Sequence, residues 1–524
     1  MNGISENNDN KAAGGAAGDT SPKPPSRGTY RSKRLHLFGL DSDDIVRWFF
    51  SGNATVAIVV LVLIMIFLFK EGAGFFGQYG SELSLYRTSG LEYADAMRVE
   101  VDSFYDLSRY LTSIESDELT TYIKKDGIPF VEAKAKTAKL HQFIDELRSS
   151  ADEIKDLSAE QMAFAVKIRD DKKADPTIDI RERRAKLIES RERFVNLGQS
   201  LRAHAMEVAK NLPTEDTRFE SRLKKFHGMA ENFCDNSLET EKIINKWDPE
   251  KPVSLGARLT SFLFGRSWVT NSYYQDWYGV LPLLYGSVLV SIIALVIAVP
   301  FGVAGAVYVN QFATAREQKL IKPYIEFVSA VPSVVIGFFG VIVLGQFVRD
   351  FSKIECLSWI PGFPITERLN ALTAGCLLAL MAVPTIFTLA EDALNNVPKA
   401  FTEASYAMGA TRLQTTSKII VPTALSGIIS AVLLGFGRVI GETMVVLLCA
   451  GNRIQIPPLS DGLAVIFKPV HTMTGIVAQE MGEVIPGSTH YRALFLVGTL
   501  LFFISLLINY IAQRIMRKYS ISEK

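Results

Sequence analysis

The fold class this sequence predicts is an all-α membrane protein: six transmembrane helices interrupted by a long extramembrane helical insertion. Three observations carry that expectation. Hydrophobic residues make up 48% of the 524-residue chain although 21% of it is charged, at a mean hydropathy of +0.17, so apolar and charged residues must sort into blocks. Uncharged apolar runs of spanning length recur, where a helical span needs about 20 residues. Between the first and second of these runs lies a charged, glycine-poor stretch whose apolar residues return every three or four positions, the period of an amphipathic helix.

Taken in order, residues 1–47 are predicted to be a disordered basic tail. They are rich in Gly, Ala, Asn, Ser and Pro as far as the segment "KPPSRGTYRSKR", a composition that cannot bury enough apolar surface to fold. The tail is too long and polar to open an ordinary signal peptide. "ATVAIVVLVLIMIFLF", with Trp48, Phe49 and Phe50 before it, predicts the first transmembrane helix over 48–70. Residues 71–277 form the predicted insertion. In "LHQFIDELRSSADEIKDL", Leu140, Phe143, Ile144, Leu147, Ile154 and Leu157 share one stripe, and the pattern resumes after a break at "DPTIDI". Two or more long helices packed as a hairpin or short coiled coil are expected. Further spans are predicted over 280–310, 324–347, 369–389, 419–450 and 491–515, within a membrane domain of 278–518. Pro332 and Pro384 are expected to kink two of them. The basic tail, Arg316, Lys319 and Lys322 in one link, and Arg514, Arg517 and Lys518 at the end collect on one side if there are six spans. That side is then cytoplasmic, with both termini, and the insertion lies outside.

"GRVIGETMVV", residues 437–446, places Arg438 and Glu442 inside the otherwise uncharged run 419–450. Either ion at a bilayer centre costs about 2.5–3.5 kcal/mol on insertion scales, and such residues are usually functional. On a continuous helix the two share a face, in the order less favourable for helix stability, so stiffening the span does not explain them. Gly435, Gly437 and Gly441 leave room for a helix or ligand to approach. The competing expectation is a structural ion pair. Thr443, and more weakly Ser329, Ser333 and Thr385, are candidates to line a path, although hydroxyls inside spans commonly bond back to their own helix.

Other chemistry is poorly represented. Cys234, Cys356, Cys376 and Cys449 show no CxxC spacing, and whether Cys234 meets Cys356 is left open. His471 and His490 lack metal-ligand spacing and are assigned no role, so no metal and no cofactor is expected. A net charge of +1 gives no indication of nucleic acid. No G-x-x-x-x-G-K-[ST] stretch is present, so the chain has no Walker-type ATP site and is expected to be a non-catalytic subunit.

The link 391–422, "EDALNNVPKAFTEASYAMGATRLQTTSKIIVP", carries a second signal. Pro398 suits a first helical turn. Phe401, Ala404, Ala407 and Met408 fall near one face, and Gly409 permits a sharp turn, so a short amphipathic helix lying against the cytoplasmic face is expected. Glu403, Ala404 and Ser405, then Gly409, Ile419 and Pro422 resemble the EAA loop of ABC-importer permeases, with Ser405 in place of the second Ala and Val421 in place of Leu. "SAVPSVVIGFFG", "AVPTIFTLAEDALNNVP", "GRVIGETMVVLLCAGN" and "IVAQEMGE", in that order, are similar to the PstC family of phosphate permeases. The resemblance covers the first span and about 278–515, and leaves out the tail and the insertion.

It implies a MetI-like permease core in a bacterial inner membrane that imports inorganic phosphate. The implied partners are a homologous second permease of PstA type, two ATPase subunits of PstB type and an extracytoplasmic phosphate-binding protein of PstS type, besides membrane lipid. Residues matching the family's coupling motif are Glu403, Ala404, Gly409 and Pro422. Arg438 and Glu442 match residues implicated in the family's transport, and Thr443 is placed with them as a pathway candidate. There a guanidinium matches phosphate oxygens and Glu442 is expected to neutralise Arg438 when the path is empty. A permease for sulfate or molybdate, the sister permease, and a transmembrane receptor with a helical sensor domain are the alternatives.

Overall fold

The computed structural model describes residues 42–212, 219–354, 356, 359–360 and 362–519. Most of the predicted tail, residues 1–41, lies outside them. Its last residues do not: the first helix, α1, runs Ser42–Ala73, so the apolar span begins inside a helix that already includes Arg47. Residues 42–65 fall in one compact unit and Ile66–Lys524 form a second. In the first unit Ile58, Val59, Leu61 and Ile64 are all exposed, as side chains facing lipid would be.

The predicted boundary at residue 70 is not where the helical path changes. Lys70 and Glu71 are followed by α2 (Phe75–Thr88), and only at Gly90, with φ of 86°, does the chain turn into the insertion. The insertion proper is α3 (Leu91–Lys124), α4 (Phe130–Ala174), α5 (Arg181–Glu189), α6 (Arg191–Asn211) and α7 (Glu220–Lys246). Helix α3 packs on α4, α4 on α6, α6 on α7, and α7 back on α3. This closes an up-down-up-down four-helix arrangement, a step beyond the hairpin expected from periodicity. Its core joins Met97, Phe104 and Leu111 to Ile144, Leu147 and Ile154, and to Phe194, Leu201, Phe226 and Phe233. Five of the six stripe residues of α4 are buried and Phe143 is partly so. The bundle begins and ends at one place: Trp247, just past α7, packs at a tilt on Tyr93 with ring centroids 5.2 Å apart and donates its indole N–H to Glu92 at 3.2 Å.

The base of the insertion belongs with the membrane helices. Helix α2, α8 (Leu255–Phe264) and the antiparallel pair β1 (Trp268–Val269) and β2 (Trp277–Tyr278) pack against α9 (Leu281–Gln311), α18 (Met473–Glu480) and α19 (Thr489–Tyr519). Phe75, Tyr79, Phe262, Trp268, Tyr278, Leu283, Met473, Ala493 and Leu494 are among the buried residues of this cluster. Charge density in the sequence suggested a solvated domain from residue 71. The aromatic side of α2 instead buries itself here, since an apolar face gains most where another apolar face is available.

In the membrane domain α9 is followed by α10 (Ala315–Ala330), α11 (Ser333–Phe339), a π-helical turn over Gly340–Leu344, α12 (Gly345–Phe351), α13 (Ala371–Asn395), α14 (Lys399–Ala407), α15 (Arg412–Thr415), a second π turn over Thr416–Ile420, α16 (Val421–Ile440) and α17 (Met444–Cys449). Two sequence expectations are corrected. The predicted span 324–347 starts too early: α10 ends at Ala330, and Pro332 is the N-cap of the next helix, not a kink inside it. Proline suits a helix start because the N–H it lacks has no helical partner there. Pro384 lies within the unbroken α13. Among the described residues five helices are long and apolar enough to cross a membrane, and a pair bent by 65°, Arg412–Thr423 with Leu425–Ile440, makes a sixth if counted as one span. The bend follows a π turn and Pro422, both of which interrupt the i→i−4 ladder.

Helix α9 begins in the aromatic cluster and ends in another made of Ala306, Val309, Phe387, Ala390, Leu394, Ile420 and Ala424. The insertion base and the α13–α16 link therefore occupy opposite ends of α9. Cys234 and Cys356 are both free.

Candidate functional site

Arg438 sits in the last turn of α16, and its position is set by glycines. A Cβ on Gly427 would come within 2.4 Å of the Ala393 Cβ, and one on Gly435 within 2.7 Å of Ile386 Cγ1. The missing side chains let α16 lie directly on α13. One turn beyond Gly435, the guanidinium reaches the residue before Ile386, and Arg438 Nη1 donates to Thr385 Oγ1 at 2.9 Å. The arginine is otherwise exposed.

Glu442 does not share its face. Helix α16 stops at Ile440, residues 441–443 leave the helical path, and α17 starts at Met444. The expected run 419–450 is thus two helices joined by a break, so i,i+4 spacing no longer brings the two charges together. Gly441, without a side chain to favour the helix, is where the break falls. Half-buried Glu442 turns its carboxylate to the backbone N–H of Met444, at 3.3 Å, and its own carbonyl accepts from Thr474 Oγ1 at 2.8 Å. Among the described residues Arg438 forms no ion pair, so the expected neutralisation by Glu442 is corrected. Thr443 Oγ1 lies 3.5 Å from the Gly441 carbonyl, and Ser329 donates back to Glu326.

A segment that sequence reading passed over supports the break. Thr472 caps α18, the Met473 N–H donates to Ser287 Oγ on α9 at 2.9 Å, and the Thr472 N–H donates to His471 Nδ1. That bond makes Nδ1 an acceptor, so His471 Nε2–H donates to Gln479 Oε1 at 3.2 Å. Burial pushes the His471 pKa down, keeping the ring neutral. Gly286 makes the docking possible, because a Cβ there would collide with the His471 carbonyl. His490 pairs with Glu480 at 2.7 Å beside a cavity of about 460 Å³ that also holds Glu82, Asp276 and Glu483. Only the fold brings these residues together.

At the other end of α9, α14 has no buried residue. Phe401 and Tyr406 are each 44% exposed, Met408 88% and Leu413 67%. This apolar face points away from the bundle and has no partner within the described residues. Glu403 and Ala404 are exposed beside it. Gly409 has φ of 80° and open space around its Cα, so its demand is conformational, not steric. Ser405, which stands where the motif has alanine, bonds Thr415 at 2.9 Å and ties α14 to α15. Lys322 and the buried Glu391 pair behind it, joining α10 to α13.

Residues 298–519 match the model of the "Binding-protein-dependent transport system inner membrane component" family. Over 265 residues, 49% of this chain and 79% of the relative, the protein is 36% identical to the probable ABC transporter permease protein YqgH of Bacillus subtilis strain 168. The chain belongs to the binding-protein-dependent transport system inner membrane component family. This inner membrane component is also 31% identical to a phosphate transport system permease protein PstC of Mesorhizobium japonicum, over 48% of its own length and 77% of the relative's. In structure, 46% of it aligns with 94% of a chain of the MetNI methionine ABC transporter in an inward-facing conformation, at 22% identity and a TM-score of 0.33. It is an ABC transporter permease, a transport subunit, and the insertion lies before the family-matched residues.

Proposed function

We propose that this chain is the PstC-type permease subunit of an importer that carries inorganic phosphate across the inner membrane. It pairs with a homologous PstA-type permease, takes its energy from two PstB-type ATPase subunits, and receives phosphate from an external PstS-type binding protein. Both termini are cytoplasmic and the insertion faces outward. The observation that supports this most is Arg438, a permanent cation among apolar helices whose hydrogen-bond partner is the neutral Thr385 and not a carboxylate. An uncompensated guanidinium there is costly unless an anion uses it, and its planar fork suits phosphate oxygens. Glu442, held at the helix break, is an acceptor for a protonated phosphate oxygen, which sulfate at neutral pH lacks. Thr443 lines the same break.

The exposed apolar face of α14, with Glu403 and Ala404 on the helix, Gly409 at its turn and Pro422 at the start of α16, is the surface on which the ATPase docks. Closure of the ATPase pair moves α14 and, through Ser405 and Thr415, the foot of α16, the helix whose last turn holds Arg438.

The test is labelled phosphate uptake by Arg438→Ala with membrane levels of all subunits measured in parallel. Uptake is expected to vanish with assembly intact, and excess sulfate or molybdate should not compete in the parent protein. Normal uptake by the variant removes Arg438 from the pathway.

A further inference from the structure

Thr385 behaves unlike several of the other hydroxyls of the membrane helices. Thr388 donates to the Pro384 carbonyl at 2.9 Å, Ser291 to Ser287 at 2.7 Å, Ser430 to Ser426 at 2.8 Å and Thr499 to Phe495 at 2.8 Å. Each hydroxyl proton is spent four residues back along its own helix, the usual fate in a membrane span. Thr385 Oγ1 instead accepts from Arg438 Nη1. Among the described residues its own proton meets no acceptor. A hydroxyl has one donor and two acceptor positions, so accepting from a cation leaves the O–H free and strengthens it as a donor.

The geometry around it is built by small residues. Gly435 brings α16 against Ile386, which fixes Thr385 at the height of Arg438. Half-buried Thr385 is thereby held on α13 while the guanidinium comes from α16. The carboxylate nearest to Arg438 in sequence, Glu442, is turned to the start of α17, and Glu391 on α13 is paired with Lys322. Among the described residues the contact therefore offers guanidinium N–H groups and one O–H, all donors, with no carboxylate paired to it.

We propose that Thr385 is a second anion-binding residue of the transport path: it holds Arg438 and donates its own hydroxyl proton to the transported oxyanion. The proposal rests on the reading of Arg438 as a pathway residue. It assigns the anion a contact on α13 as well as α16, so that an anion at this point bridges two packed helices and does not follow one mobile side chain.

The experiment compares Thr385→Val, which keeps the shape and loses the hydroxyl, with Thr385→Ser, which keeps the hydroxyl. Both are assembled with the partner permease, ATPase and binding protein in proteoliposomes, beside Arg438→Ala. Labelled phosphate uptake and binding-protein-stimulated ATP hydrolysis are measured on the same vesicles. Thr385→Val should lose roughly ten- to hundredfold in uptake, the usual effect of deleting a hydrogen bond to a charged group, while ATP hydrolysis stays within about twofold. Thr385→Ser should transport nearly as well as the parent. Parental uptake by Thr385→Val beside an inactive Arg438→Ala overturns this proposal and leaves the Arg438 reading in place. Normal uptake by Arg438→Ala overturns both. Equal losses in Val and Ser variants, with less assembled complex, assign Thr385 to packing alone and also overturn it.

Discussion

Replacing Glu100 by glutamine should change how the four-helix insertion responds to pH. Glu100 lies on α3, 4% exposed, and accepts from Ser237 Oγ on α7. Arg202 of α6 donates to the same Ser237 at 2.8 Å and to Glu241 of α7 at 2.8 Å. Gly198 of α6 leaves the carboxylate its space, since a Cβ there would sit 3.0 Å from Oε1. Burial pushes the Glu100 pKa up to about 7; the Ser237 hydrogen bond and the Arg202 charge pull it down, and Glu241 adds to the rise. Between its ordinary value of 4.5 and about 7 the folded chain keeps the proton that the unfolded chain releases. Stability is therefore full below pH 4.5 and falls as pH rises toward 7, because the folded state then binds more protons. Across that window the loss comes to roughly 3 kcal/mol, at about 1.4 kcal/mol per pH unit. Glutamine keeps an acceptor for Ser237 and cannot ionise. A soluble fragment 90–247, whose ends meet at Trp247 and Tyr93, should unfold cooperatively in urea when followed by circular dichroism. Glu100→Gln should match the parent near pH 5 and exceed it by roughly 3 kcal/mol at pH 8. A stability difference that does not change between pH 5 and pH 8 refutes the reasoning.

Two further outcomes follow from the two ends of α9. Gly409→Val forces a β-branched residue into a left-handed conformation, a strain of roughly 1–3 kcal/mol; the permease pair should still purify while the ATPase no longer copurifies, and normal ATPase retention counts against the docking surface. Excising 91–247 and rejoining the chain at Gly90 should leave measurable phosphate uptake, whereas deleting 71–277 should abolish membrane accumulation because it strips α2 and α8 from the aromatic cluster; equal levels of the two deletions on a membrane immunoblot would contradict that role for α2.

The helical insertion could be read from the stripe Leu140, Ile144, Leu147, Ile154 and Leu157, because burial at helical period is written locally. Its four-helix order could not, since nothing local says that α7 returns to α3. Arg438 was legible as a charge in an apolar run, and Gly409 as a turn residue. The expected Arg438–Glu442 pairing failed because it assumed an unbroken helix, and a break of three residues is worth little in hydropathy while it redirects every side chain after it. Thr385 was visible only as one hydroxyl among several.

The sequence by itself determined the division into apolar spans and a charged helical insertion, since a backbone in lipid must satisfy its own hydrogen bonds and a helix needs about 20 apolar residues to cross. It also marked Gly409 as a turn residue. Tertiary structure alone decided that α2 joins the membrane end, that the Glu442 carboxylate accepts from the Met444 N–H, and that Thr385 receives Arg438. Those outcomes depend on close approach between residues far apart in the chain, as when Gly435 admits Ile386, and close packing is a property of the pair, which neither segment carries alone.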